Sequence, residues 1–230
     1  MKAFLIFVKD HLQSTNQAAK ALASCKNSHF RVELMEGVTP STLSQSRPHA
    51  DGSRASNFFE QATRDKGVNN FRLYKTKNSC FLNHVRVWNK CIELNEPVAF
   101  LEHDVGCVRN YIEEDFEDVL ILNIQSAMHQ EVFNDIKYKG DWDLGIHEYK
   151  YEPLKYRHNV PDWKGSYMMP GTGAYAVTPK GAQKLLDAYE KYGWEQSDFF
   201  INTANVTIQY IVPEYFTFKS SNLNLSHGVR

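Results

Sequence analysis

Two carboxylates stand two residues apart at the end of an apolar run: Val98-Ala99-Phe100-Leu101 leads straight into Glu102-His103-Asp104. Side chains alternate along an extended chain, so Glu102 and Asp104 project the same way. Hard oxygen donors at the carboxyl end of a buried strand suit Mg²⁺ or Mn²⁺, held together with substrate phosphates. Such a cation would neutralise a departing diphosphate. The plainer alternative is a polar strand end with both carboxylates in solvent. A second candidate is Gly171-Thr172-Gly173, where glycine permits backbone to approach a sugar. The alternative there is an ordinary turn before a strand.

The elements that must position these groups follow from the apolar patterning. Residues 3–8 form a continuous apolar run, the mark of a central strand buried on both faces. Asp10 and Gln13 read as a capping box for a helix running to about Cys25. Residues 30–35 alternate like a second strand, and 37–57, rich in Gly, Pro, Ser and Asn, read as loop. Phe81, Val85, Trp88 and Ile92 fall at helical spacing, and Asn95-Glu96-Pro97 ends that helix before the strand at 98–101. Asn110 and Glu113 predict a short acidic helix, and 119–124 another strand. Residues 125–170 show no clean period, so short elements are expected within them. Residues 174–177 read as a strand. Thr178 as N-cap and Pro179 at the first helical position open a helix that Gly193 closes. Late strands are expected at 206–212 and 215–218. The β-α-β alternation predicts a mostly parallel α/β sheet with helices on both faces.

The 230 residues fit one domain, and 26 basic against 27 acidic residues give no global pull toward nucleic acid or membrane. The apolar run near the start is too short for a signal-peptide core or a membrane span, so a cytoplasmic location with no transmembrane segment is expected. Cys25, Cys80, Cys91 and Cys107 match no zinc spacing and read as reduced, mostly buried thiols. Cys80 and Cys91, about three helical turns apart, cannot bond to each other.

The stretch SCFLNHVRVWNKCIELNEPVAFLEHDV at 79–105 resembles the core of family 25 glycosyltransferases, which include lipopolysaccharide transferases and collagen galactosyltransferase domains. Cys80, Phe81, Leu82, His84, Trp88, Asn95, Glu96, Pro97, Glu102 and Asp104 carry the likeness. GTGAYAVTPKGAQKLL at 171–186 is similar to a second block of that family, and Ser197-Asp198-Phe199-Phe200 to a third. The three blocks occur in the family's order and cover about half the chain. The departures are His103 for the usual Asp, Asn83 for Ser, Lys77-Asn78-Ser79 for the residues before the Cys, and Lys9-Asp10-His11 for an Arg-rich start.

The resemblance implies a GT-A, Rossmann-like fold with an irregular acceptor-side insertion. It implies inverting transfer of a sugar from a nucleotide-diphosphate donor, a UDP-sugar or similar, to a hydroxyl on a glycan, glycolipid or other acceptor. Residues 1–124 would then be the nucleotide-sugar half and 125–230 the acceptor half. The implied metal ligands for Mn²⁺ or Mg²⁺ are Asp104, Glu102 and His227, the last a C-terminal histidine whose alternative is an unordered terminus. Asp198 is the candidate general base, or else a helix cap, with Glu195 in reserve. Glu102, His84, Lys9, Thr172 and Gly173 are candidate donor contacts. For His84 the alternative is a buried, hydrogen-bonded helix residue; His103 is either a substitute contact or a solvated turn residue.

Two other readings compete. Basic residues in 64–90, with the aromatics of 138–167, would suit a transferase acting on modified DNA bases, through phosphate contacts and base stacking. A catalytically inactive protein of the same fold would bind the sugar or nucleotide without turnover. No Walker-type phosphate loop supports a kinase.

Overall fold

The computed structural model describes residues 1–43, 50, 70–127, 143–150 and 160–218. The chain opens with β1 (Lys2–Phe7), α1 (Leu12–Ser24) and β2 (Arg31–Glu36), followed by the long helix α2 (Asn70–Leu94). Then come β3 (Val98–Glu102), β4 (Val105–Cys107), β5 (Val119–Ile121), the single turn α3 (Ile124–Ala127) and β6 (Gly145–Glu148). A 3₁₀ turn (Pro161–Trp163) leads to β7 (Ala174–Val177), α4 (Pro179–Tyr192), α5 (Ser197–Phe200), β8 (Ile208–Val212) and β9 (Phe216–Phe218).

Seven strands form one sheet in the order β2-β1-β3-β7-β5-β8-β6. Strands β2, β1, β3, β5 and β8 share one direction; β7 and β6 run against it. β7 is wedged antiparallel between β3 and β5, which aligns Ala99 with Ala176 and Phe100 with Tyr175. The apolar runs are continuous because both faces are covered. Phe4, Ile6, Phe100 and Tyr175 pack with Phe81, Trp88 and Cys91 of α2 on one face. Ala3, Leu5, Leu101 and Ala174 pack with Ala18 and Ala21 of α1 on the other. α1 and α2 therefore flank the sheet on opposite sides of β1 and β3. In an open α/β sheet this change of side leaves a crevice at the strands' carboxyl ends.

Several expectations change. The cap of α1 is His11, not the Asp10/Gln13 box: its Nδ1 accepts the Ser14 N–H at 3.3 Å. No helix forms at 110–116; the chain there is irregular, held by Tyr111 N–H to Ser28 C=O and by Tyr215 Oη, which bonds Ile112 and Glu114. The strand expected at 215–218 leaves the main sheet and pairs with β4 in a two-stranded ribbon. The helix bounded by Thr178, Pro179 and Gly193 forms as expected, with Thr178 Oγ1 accepting the Gly181 N–H at 3.1 Å. All four cysteines are free, and two, Cys25 and Cys91, are fully buried. The Cys107 Sγ donates to the Arg109 C=O at 3.1 Å, and its neighbour Cys25 is the first cause drawing Cys107 down to about 6.

Candidate active site

A pocket of about 330 Å³ opens at the crevice between β1 and β3. Its floor is Ile6-Phe7-Val8, where β1 ends; one wall is Val38-Thr39-Pro40 after β2; a second is the face of α2 bearing Thr76, Ser79, Cys80 and Asn83. Glu102-His103-Asp104 close the third side, with His11 at the start of α1. The helix period that places Phe81 and Trp88 in the core turns Asn83 toward the β2 loop. Asn83 Oδ1 accepts the Val38 N–H at 2.7 Å and Nδ2 donates to the Val38 C=O at 3.3 Å.

Glu102 ends β3, and its N–H donates to the Gly173 C=O at 2.8 Å. That bond brings the Gly171-Thr172-Gly173 segment beside the acidic pair. Burial raises the Glu102 carboxyl to about 8, with the nearby Asp104 and Asp198 charges adding to it. Burial also raises Asp104, to about 6. Asp104 Oδ1 is buried with no hydrogen-bond partner among the described residues, as is Nε2 of His103. Two half-buried carboxylates held above their ordinary range, one with an unpartnered buried oxygen, fit a divalent cation. Among the described residues no three His, Cys, Asp or Glu side chains are grouped to hold a metal. The protein groups seen here therefore amount to a pair, and a diphosphate and water would complete the shell. His227 lies outside the described residues.

Asp198 sits in the single turn α5, whose N-cap is Gln196, so it is not the cap of that helix. Burial raises its pKa, while Lys77 opposes the rise and Glu195 adds to it. The third sequence block thus comes within electrostatic reach of Glu102. Glu195 is buried, its Oε1 accepting the Gln196 N–H at 2.8 Å. Lys9 is exposed, 3.9 Å from Glu36. Thr172 is half-buried, whereas a Cβ on Gly173 would run into the Phe218 ring, so that glycine is required by packing within the fold. His84 lines the pocket yet is 1% exposed. Its ring stacks on Phe100 at 3.8 Å, its Nδ1 lies 3.0 Å from Tyr175 Oη, and burial lowers it to about 3, so it stays neutral.

Sequence reasoning missed the Val38–Pro40 wall and His11 as pocket residues, and read Asn83 only as a departure from a pattern. A polar residue on the core-facing side of α2 was the available signal. Of the aromatics weighed for base stacking, Tyr149 and Trp163 are core residues. Arg86, among the basic residues of 64–90, donates to the Glu36 C=O. Tyr138, Trp142, Tyr151, Tyr156, Arg64 and Lys66 lie outside the described residues.

Residues 4–201 match the family model for glycosyltransferase family 25, described as lipopolysaccharide biosynthesis protein. No curated protein matches the sequence. Among solved structures, similarity is found to a Drosophila β-1,4-galactosyltransferase 7 mutant in complex with manganese, UDP-galactose and xylobiose, with 10% identity and a TM-score of 0.41, over 100% of this chain and 74% of that one. It is also found to mouse xyloside xylosyltransferase 1 (10% identity, TM-score 0.34, 87% and 80% coverage). A third is the galactosyltransferase LgtC with donor and acceptor sugar analogues (11%, 0.37, 91% and 73%). Among the described residues no helix is long and apolar enough to cross a membrane.

Proposed function

Because the chain belongs to glycosyltransferase family 25, we propose that it transfers a sugar from a UDP-sugar or similar nucleotide-diphosphate donor to an acceptor hydroxyl, with inversion at the anomeric carbon. The observation that carries this reading is the pocket at the carboxyl ends of β1 and β3, closed by the half-buried pair Glu102 and Asp104, whose pKa values burial raises. Among the described residues, those lining it fall between Ile6 and Asp104, which supports residues 1–124 as the donor half and leaves 125–230 to the acceptor.

Asp104 and Glu102 would hold Mn²⁺ or Mg²⁺ together with the donor diphosphate. When bound, the cation offsets negative charge on the leaving group. Asp198 takes the acceptor's hydroxyl proton onto a carboxylate oxygen as the hydroxyl oxygen attacks the anomeric carbon and the sugar–phosphate bond breaks, the nucleoside diphosphate leaving. Its burial and raised pKa strengthen it as a base. Glu195 stands beside it in reserve. The Gly173 C=O, which accepts the Glu102 N–H, ties the Thr172–Gly173 segment to the acidic pair, and Lys9, just after β1, is the cation nearest the pocket floor in sequence.

The test is release of nucleoside diphosphate from a panel of nucleotide sugars, with and without Mn²⁺, by the wild type and Asp104→Ala. Metal-dependent release from one donor, lost in the variant, is expected. No release and no metal-dependent binding of any donor overturns the reading.

A further inference from the structure

His11 holds the amino end of α1 and lines the pocket at the same time. Its Nδ1 accepts the Ser14 N–H, so in the neutral ring the proton resides on Nε2. The ring edge turned away from the helix is therefore a hydrogen-bond donor of fixed tautomer. The main chain around it is already committed. Phe7 C=O accepts the Gly37 N–H, Val8 N–H donates to Ser14 Oγ, and Val8 C=O accepts the His11 N–H. Across the pocket Asn83 takes both polar groups of Val38, and the Thr39 N–H donates to Thr42 Oγ1. What these segments present to a ligand is largely the apolar surface of Ile6, Val38 and Pro40. A nucleotide lodged there has oxygens to satisfy and few backbone amides to satisfy them.

We propose that His11 is a specificity-determining residue of the donor pocket, its Nε2–H donating to an acceptor oxygen of the bound nucleoside diphosphate. The inference rests on the donor reading above. The oxygen belongs either to the nucleoside or to the diphosphate, and both carry hydrogen-bond acceptors.

The cap and the contact separate by substitution. Serine and asparagine are good N-caps, so His11→Ser and His11→Asn keep an acceptor for the Ser14 N–H while losing Nε2–H. His11→Ala loses both. Binding of UDP and of uridine is measured calorimetrically in Mg²⁺, alongside thermal unfolding without ligand. His11→Ser and His11→Asn are expected to unfold no earlier than the wild type and to bind UDP about three- to tenfold more weakly, the loss of one hydrogen bond. An equal loss toward uridine assigns the contact to the nucleoside; a loss confined to UDP assigns it to the diphosphate. His11→Ala adds a lowered unfolding temperature. UDP binding by both cap-competent variants at the wild-type affinity overturns this proposal and leaves the donor reading standing. A wild type that binds no nucleoside diphosphate overturns both.

Discussion

Asn83 holds Val38 by both of its main-chain polar groups, accepting its N–H at 2.7 Å and donating to its C=O at 3.3 Å, across 45 residues of sequence. The same Nδ2 also donates to the Ser79 C=O at 3.0 Å, so one buried amide ties the loop after β2 to the helix behind the pocket. Asn83→Ala leaves these partners unmet. It is expected to lower unfolding stability by about 1–3 kcal/mol and to weaken nucleotide binding by releasing the wall. Urea unfolding and calorimetry check the two effects; unchanged UDP affinity would show that the wall does not depend on the clamp.

The Glu102 carboxyl carries a pH signature. Its pKa rises from an ordinary 4.5 to about 8 in the fold, mainly through burial. Between these values the folded state holds a proton that the unfolded chain has released, so stability falls as pH rises. The histidines His84 and His103, lowered to about 3 and about 4, oppose this only below their ordinary 6.5, but Cys107, lowered from 9 to about 6, and the Met1 amino group, lowered from 8.0, oppose it inside the same window. From about pH 6.5 to 8, with chelator present, the unfolding free energy of the wild type should therefore decline relative to that of Glu102→Gln. Parallel pH profiles of the two proteins over that window would remove Glu102 as a source of the pH dependence.

Adding Mn²⁺ at pH 8 is expected to recover the wild type's stability, because a ligand that binds only the folded state raises it. Asp104→Ala should show no such gain. Thermal unfolding with and without metal reads this without any donor or turnover.

Tyr175 anchors the core beneath the pocket. Its hydroxyl accepts from Trp88 Nε1 at 2.9 Å and lies 3.0 Å from His84 Nδ1. Tyr175→Phe keeps the ring stacking and strands two buried nitrogens. A loss of about 1–3 kcal/mol for each is expected, measurable by urea unfolding; a variant as stable as the wild type would mean the two rings find other partners.

Gly173→Ala would drive a methyl group into the Phe218 ring and against Asn123 Nδ2. Such overpacking costs about 1–3 kcal/mol. Because the Gly173 C=O receives the Glu102 N–H, donor turnover should fall with it. Unfolding and nucleoside diphosphate release check the pair of effects.

Local signals in the sequence determined the elements and one edge of the site. The apolar runs at 3–8 and 98–101 marked strands buried on both faces. Thr178, Pro179 and Gly193 bounded a helix by cap chemistry that needs only neighbouring residues, and the pair Glu102 and Asp104 was legible because strand alternation fixes their common side. The tertiary structure alone decided the rest. It wedged β7 antiparallel between β3 and β5, brought Asp198 within reach of Glu102, set Val38 against Asn83, and gave His11 a cap to make and a pocket to face. The reason is physical: a capping bond or a two-residue alternation is settled by adjacent dihedrals, whereas strand order and pocket walls are settled by which distant apolar faces bury each other, and no local period encodes that choice.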